Sequence, residues 1–105
     1  MDAEQLKGHL DGLILAVLAS GPLHGYGVIE ALKQRSGGAL ELPEGTVYPA
    51  LHRLERDGLV SSDWSTETGR RRRVYQLTRR GERGLTERRA RWRAFSTTIE
   101  AVLAA

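Results

Sequence analysis

The fold is decided by the stretch GTVYPALHRLERDGL, which spans residues 45–59. Its apolar side chains recur at steps of three and four residues, the spacing of one face of an α-helix. These side chains are Val47, Ala50, Leu51 and Leu54. The stretch therefore predicts a helix over residues 44–57 that is stopped by Gly58. Because Pro49 lacks an N–H group, we expect it to kink this helix or to loosen its first turn.

The other faces of this helix carry side chains suited to contact with a nucleic acid. Gly45 and Pro49 add little bulk, so the helix can approach a groove closely. The side chains that we expect to contact phosphates or base edges are Thr46, Tyr48, His52, Arg53 and Arg56. Considered one residue at a time, Tyr48 can instead be an aromatic residue at the edge of the core, and His52 can be a solvated surface residue.

A second helix is predicted directly before this one, over residues 24–35. It buries Val28, Ile29 and Leu32, and the segment Ser36-Gly37-Gly38 ends it. Two successive helices joined by a short connection form a helix-turn-helix. The second helix of such a unit can lie in the major groove of DNA.

Two short strands follow the helix-turn-helix, over residues 60–65 and 73–77, and a polar turn containing glycine joins them. A hairpin in this position is a wing, whose tip can reach phosphates or an adjacent groove. We expect Arg70, Arg71 and Arg72 to lie at the tip and to contact DNA.

The wing belongs to a strongly basic segment. Eleven of the sixteen Lys and Arg residues are arginines between Gly69 and Arg93, and this segment carries a net charge of +9 in a chain of net charge +3. Clustered guanidinium groups release condensed counterions when they bind phosphates. A solvated helix face is the alternative explanation of such a run. We expect the arginines from Arg88 onward to lie on a solvated helix surface or to pair with acidic residues of a partner. Their charge would attract DNA at long range more than it would contact it directly.

A long helix is predicted from Thr78, with apolar residues spaced nearly as in a heptad repeat. This stripe is longer than a small core can cover, so we expect a homodimer. The expected interface residues are Leu10, Leu85, Trp92, Phe95, Ile99 and Val102. The first helix, firm from about His9 and stopped at residues 20–22, is expected to pack against the last one. The alternative is a last helix folded back on its own core.

The predicted fold class is therefore mainly α with a small β-hairpin: a winged helix-turn-helix plus a C-terminal dimerisation helix. We expect residues 1–78 to form the DNA-binding domain and residues 79–105 the dimerisation helix, together in one compact unit.

Three segments of this chain together resemble the PadR family of winged-helix transcriptional regulators. They are PLHGYG at residues 22–27, GTVYPALHRLERDGL at residues 45–59 and GRRRRVYQLTRRG at residues 69–81. The resemblance covers nearly the whole chain. It implies a homodimer that binds double-stranded operator DNA, usually as a repressor, and that often releases the DNA when a small molecule binds. The single short C-terminal helix resembles the compact members of the family.

The compact relatives also imply a ligand site. In them, aromatic side chains of the last helix can face each other across the dimer and form a slot for planar aromatic effectors. Trp92 and Phe95 are the residues of this chain that would line such a slot. Ordinary interface packing is the alternative, because large aromatic side chains are common in interfaces.

Composition argues against several other classes of protein. The chain has no cysteine, which excludes disulfides and cysteine-based zinc sites. The longest apolar stretch, residues 13–19, is too short to span a bilayer, and the acidic start is unlike a signal peptide, so we expect a cytoplasmic protein. Three scattered histidines and no catalytic or phosphate-binding motif indicate neither an enzyme nor a cofactor or metal protein. The remaining rival is a winged helix that binds another protein instead of DNA.

Overall fold

The computed structural model describes residues 6, 8–67 and 69–104. Along the chain its elements are α1 (Leu10–Leu18), β1 (Leu23–His24), α2 (Gly25–Arg35), α3 (Glu44–Arg56), β2 (Val60–Ser65), β3 (Arg72–Leu77) and α4 (Arg79–Leu103). The predicted mainly helical class with a winged helix-turn-helix is confirmed, α2 and α3 being its two helices. Among the described residues, no helix combines the length and apolar character needed to cross a membrane.

The sheet contains one more strand than the predicted hairpin. Its order is β1-β3-β2 with antiparallel neighbours, so β3 is the central strand. Leu23 pairs with Tyr75 and His24 pairs with Val74. A strand of two residues is too short to show an alternation of apolar and polar side chains in the sequence. His24 was therefore predicted as the first residue of the helix, whereas it lies in β1.

The core lies between α1, α2, α3 and the sheet. The apolar face predicted for α3 is confirmed, because Val47, Ala50, Leu51 and Leu54 are all at most 1% exposed. Other fully buried side chains come from the remaining elements and are Ile14, Leu15, Val28, Val60 and Tyr75. Burial of each large apolar side chain contributes roughly 1.5–3 kcal/mol to folding.

Pro49 lies inside α3, which runs without interruption from Glu44 to Arg56. The bond that Pro49 cannot donate would go to the carbonyl of Gly45, four residues earlier. Gly45 is exposed, so water can satisfy this carbonyl. The helix therefore accommodates the proline in its solvent-facing first turns.

The start of α4 is fixed to the connection between α3 and β2. The Gly81 amide donates to Thr78 Oγ1 at 3.0 Å, which caps the helix, and the Thr78 hydroxyl donates to the Gly58 carbonyl at 2.6 Å. Gly81 itself packs so closely that a Cβ atom built on it would lie 2.0 Å from the carbonyl oxygen of Leu59. These contacts fix the orientation of α4 relative to α3 and the sheet.

The long helix predicted from Thr78 is confirmed, whereas one of its expected interface residues differs from the structure. With 25 residues, α4 is the longest of the described elements, and it spans about 37 Å. Leu85, expected at a dimer interface, is 4% exposed and belongs to the core of its own protomer. The N-terminal part of α4 packs against α1 and β3, and Leu85 joins the core there before the exposed stripe begins.

Candidate nucleic-acid interface

The DNA-facing residues predicted on α3 differ in their exposure. His52 is exposed, whereas Thr46 and Tyr48 are half-buried. The ring of Tyr48 lies against Gly25 at the start of α2, where an added Cβ atom would be 2.5 Å from Tyr48 Cε1. Tyr48 therefore holds the two helices of the helix-turn-helix together in addition to presenting a phenol at their edge.

The two predicted arginines of α3 each have a carboxylate partner. Arg53 lies 2.7 Å from Asp11 of α1, and Arg56 lies 3.4 Å from the neighbouring Asp57. Exposed pairs of this kind contribute little to stability because water solvates both ions. A DNA phosphate contacting Arg53 must therefore compete with Asp11, a partner that sequence spacing does not reveal.

Two of the three arginines predicted at the wing tip, Arg71 and Arg72, are directed to different faces of the hairpin. Trp64 pairs directly with Arg73 across the hairpin, and Ser65 pairs with Arg72, so Arg72 and Arg73 lie on opposite faces. The guanidinium carbons of Arg71 and Arg73 lie 4.4 Å and 5.3 Å from the centre of the Trp64 ring. Arg70 is exposed in the turn before β3.

A polar network connects α3 to the wing. Ser62 Oγ donates to Glu55 Oε2 at 2.5 Å, and Arg73 Nε donates to Ser62 Oγ at 2.7 Å. A second nitrogen of Arg73 lies 3.8 Å from the same Glu55 carboxylate. The network fixes the hairpin relative to α3, so the wing and α3 present their polar groups in a constant geometry.

The His24 ring lies between Arg72 and the start of α2. Its Nδ1 atom accepts the Gly27 amide at 3.1 Å, which caps the helix, while its Nε2 atom lies 2.8 Å from an Arg72 nitrogen. A neutral imidazole has one acceptor nitrogen, so it can satisfy only one of these two donors. With Nδ1 as the cap, Arg72 is not held by a hydrogen bond to His24 and can turn to another partner.

Burial, and then the positive charge of Arg72, lower the pKa of His24 below its ordinary value of 6.5. Between the two pKa values the unfolded chain binds more protons than the native chain. The contribution of neutral His24 to the free energy of unfolding is therefore fully present above pH 6.5. It is lost as the pH falls through the lowered pKa of the native state.

We expect His24→Asn to reduce this loss of stability on acidification, because an asparagine oxygen can cap α2 without titrating. Urea unfolding of both proteins from about pH 7.5 to about pH 5 measures the effect. Wild type should lose more free energy of unfolding over this range than the variant. Parallel pH profiles would contradict the prediction.

The predicted interface residues of α4 and α1 lie in different environments. Trp92, Phe95, Ile99 and Val102 are between 42% and 75% exposed, and Leu10 is half-buried against the core. The Trp92 ring contacts the Phe95 ring and, edge to face, the His9 ring, with centroid distances of 5.8 Å and 5.4 Å. The stripe is thus an uncovered apolar surface on a single protomer.

Sequence reasoning missed Asp11, Glu55, Trp64 and Arg73 as members of this region. Trp64 had a signal, because it follows Val60 and Ser62 on one face of β2 and stands close to four arginines. The described part of the chain brings together no cluster of three or more His, Asp or Glu residues that could hold a metal ion.

The comparisons with known proteins agree with this architecture. A model of the transcriptional regulator PadR-like family matches residues 14–87. The transcriptional regulator Rv3488 of Mycobacterium tuberculosis is 41% identical over 76 residues, which make up 72% of this chain and 68% of that protein. These two matches describe regulators rather than enzymes.

Solved structures extend the likeness to the whole chain. A PadR-like transcriptional regulator from Bacillus cereus is 28% identical with a TM-score of 0.86, and the match covers 98% of this chain and 99% of that one. Bacillus subtilis PadR in complex with operator DNA is 26% identical with a TM-score of 0.68, covering 76% of this chain and 46% of that one. On the family model and these likenesses, the chain belongs to the PadR-like family of transcriptional regulators.

Proposed function

We propose that this protein binds double-stranded operator DNA as a homodimer and acts as a repressor that a small molecule releases. The observation that carries DNA binding is the fixed arrangement of α3 beside a basic wing, held by the Glu55–Ser62–Arg73 network. The likeness to a regulator solved with operator DNA supports the same partner. The proposed DNA contacts are Thr46, Tyr48, His52, Arg53, Arg56, Arg70, Arg71 and Arg72.

The homodimer is supported by the exposed stripe of α4. Trp92, Phe95 and Ile99 leave apolar surface in water that a second copy would bury. A two-fold dimer would carry its two α3 helices about 34 Å apart, the spacing of major grooves one helical turn apart. We expect Leu10, Val102 and these three residues at the interface, without Leu85.

The effector site would lie within the same interface. The tilted contact of Trp92 with Phe95 offers a pair of aromatic faces, and two copies of it related by two-fold symmetry would enclose a planar aromatic molecule. Such a molecule would release DNA if it bound preferentially to an arrangement of the protomers in which the α3 helices no longer match the groove spacing.

DNA binding is tested by the salt dependence of affinity. Log affinity should fall with log salt with a slope near −0.9 for each phosphate contacted. In Arg70→Ala plus Arg71→Ala, a dimer loses four arginines, and we expect a slope shallower by roughly 3 to 4. The matched control is Arg89→Ala plus Arg93→Ala, which removes the same charge from exposed positions on α4.

The control should keep nearly the wild-type slope because its arginines lie away from the wing. A flat salt response of the wild type, with unchanged binding by the wing variant, would contradict DNA binding and favour a protein partner. Footprinting on the DNA upstream of the protein's own gene, repeated with a panel of planar aromatic compounds, tests the operator and its release. An in vitro transcription assay on the same DNA tests repression.

A further inference from the structure

Trp64 is an exposed aromatic residue on the wing that the proposed contacts leave without a role. It lies near the end of β2 and is 54% exposed, although tryptophan is usually well buried. Its neighbours on the same face are arginines, with Arg73 directly opposite and Arg71 above the ring. The side chain thus offers an aromatic platform to two cations.

The two arginines on this platform differ in their other partners. Arg73 donates to Ser62 and lies 3.8 Å from the Glu55 carboxylate, so its charge is partly compensated within the protomer. Arg71 is exposed and stacks on Trp64, which carries no charge. Arg71 is therefore the member of this pair that keeps its positive charge available to an external anion.

An aromatic partner restrains a guanidinium group without neutralising its charge, unlike a carboxylate partner. The ring attracts the cation through its electron-rich face and leaves the N–H groups at the guanidinium edge free to donate. A carboxylate partner would occupy these donors and neutralise the charge, as Asp11 does for Arg53. A long arginine side chain held in advance also loses less rotamer freedom when it binds.

We propose that Trp64 is a positioning residue that holds the Arg71 guanidinium ready to bind a DNA phosphate. This inference rests on the proposed function, because it concerns the same wing. It adds a residue that acts through Arg71 rather than by reading bases. The contact is independent of DNA sequence, since it involves the phosphate backbone alone.

The experiment measures binding to a labelled duplex of arbitrary sequence, about 30 base pairs long, at low salt. Trp64→Leu removes the aromatic face but keeps an apolar side chain, and we expect roughly 5- to 20-fold weaker binding by a dimer with two wings. Trp64→Phe keeps an aromatic face and should restore most of the affinity. Because Trp64 is exposed, the thermal midpoint of both variants should stay near that of wild type.

A double-mutant cycle separates positioning from a general effect on the wing. In the Arg71→Ala background, Trp64→Leu should cause no further loss, because the residue through which Trp64 acts is absent. An equal loss in both backgrounds, or wild-type affinity of Trp64→Leu, would overturn the inference. Failure of the wild-type protein to bind the duplex would overturn the proposed function itself, so the two failures are distinguishable.

Discussion

Gly81→Ala is expected to lower the free energy of unfolding by about 3 kcal/mol. The added Cβ atom would lie 2.0 Å from the carbonyl oxygen of Leu59 and 3.0 Å from its carbonyl carbon. Both are backbone atoms in the connection between α3 and β2, so they cannot move aside as the end of a flexible side chain can. Relief of the clash requires α4 to shift away from the winged domain, which would also disturb the cap at Thr78.

Gly84→Ala is the matched control, one turn further along the same helix. Its Cβ atom would lie 3.5 Å from Leu59 Cδ2, an ordinary van der Waals contact. Because alanine favours the helical backbone over glycine, we expect this variant to gain roughly 0.5–1 kcal/mol. Thermal unfolding at equal protein concentration compares the two. Gly81→Ala should melt roughly 10 °C or more below wild type, and a midpoint at or above the wild-type value would refute the predicted clash.

Trp92→Asp is expected to convert the proposed homodimer into monomers. An unpaired charge at the centre of an apolar interface costs at least about 2 kcal/mol, and a two-fold interface contains the residue twice. The dimer dissociation constant should therefore rise by roughly 1000-fold. DNA binding should weaken with it, because a monomer engages one half-site only. Light scattering measures the mass, and a duplex-binding assay measures the affinity.

Two further variants sharpen this test. Ile99→Asp places the charge further along the stripe, away from the His9 contact of Trp92, and should also give monomers. Ala94→Asp places the same charge on the opposite face of α4, where the residue is exposed, and should leave the dimer intact. An unchanged dimer mass for Trp92→Asp and Ile99→Asp would rule out this interface.

The helices and the main strands of this protein were predictable from local pattern. The apolar steps through Val47, Leu51 and Leu54 determined α3 and its buried face, because a helix of period 3.6 has only one side for such residues. The alternation of β2 and the glycine-containing turn after it predicted the wing. The three segments resembling the PadR family predicted the membership that the family model supports.

The contacts between distant residues were decided by tertiary structure. Asp11 meets Arg53 across 42 positions of sequence, and His24 meets Arg72 across 48, so no local spacing reveals either pair. Leu85 fits the heptad pattern as well as Trp92 does, yet the packing of the N-terminal part of α4 against α1 and β3 buries it in the core.

The sequence by itself determined that this is a winged helix with an arginine-rich wing and a long apolar stripe, because those properties are periodic or compositional. Only the tertiary structure decided which of three arginines, Arg53, Arg71 and Arg73, keeps its charge free of a carboxylate partner. That property depends on the partner each side chain meets: Asp11 for Arg53, Glu55 for Arg73 and the uncharged ring of Trp64 for Arg71.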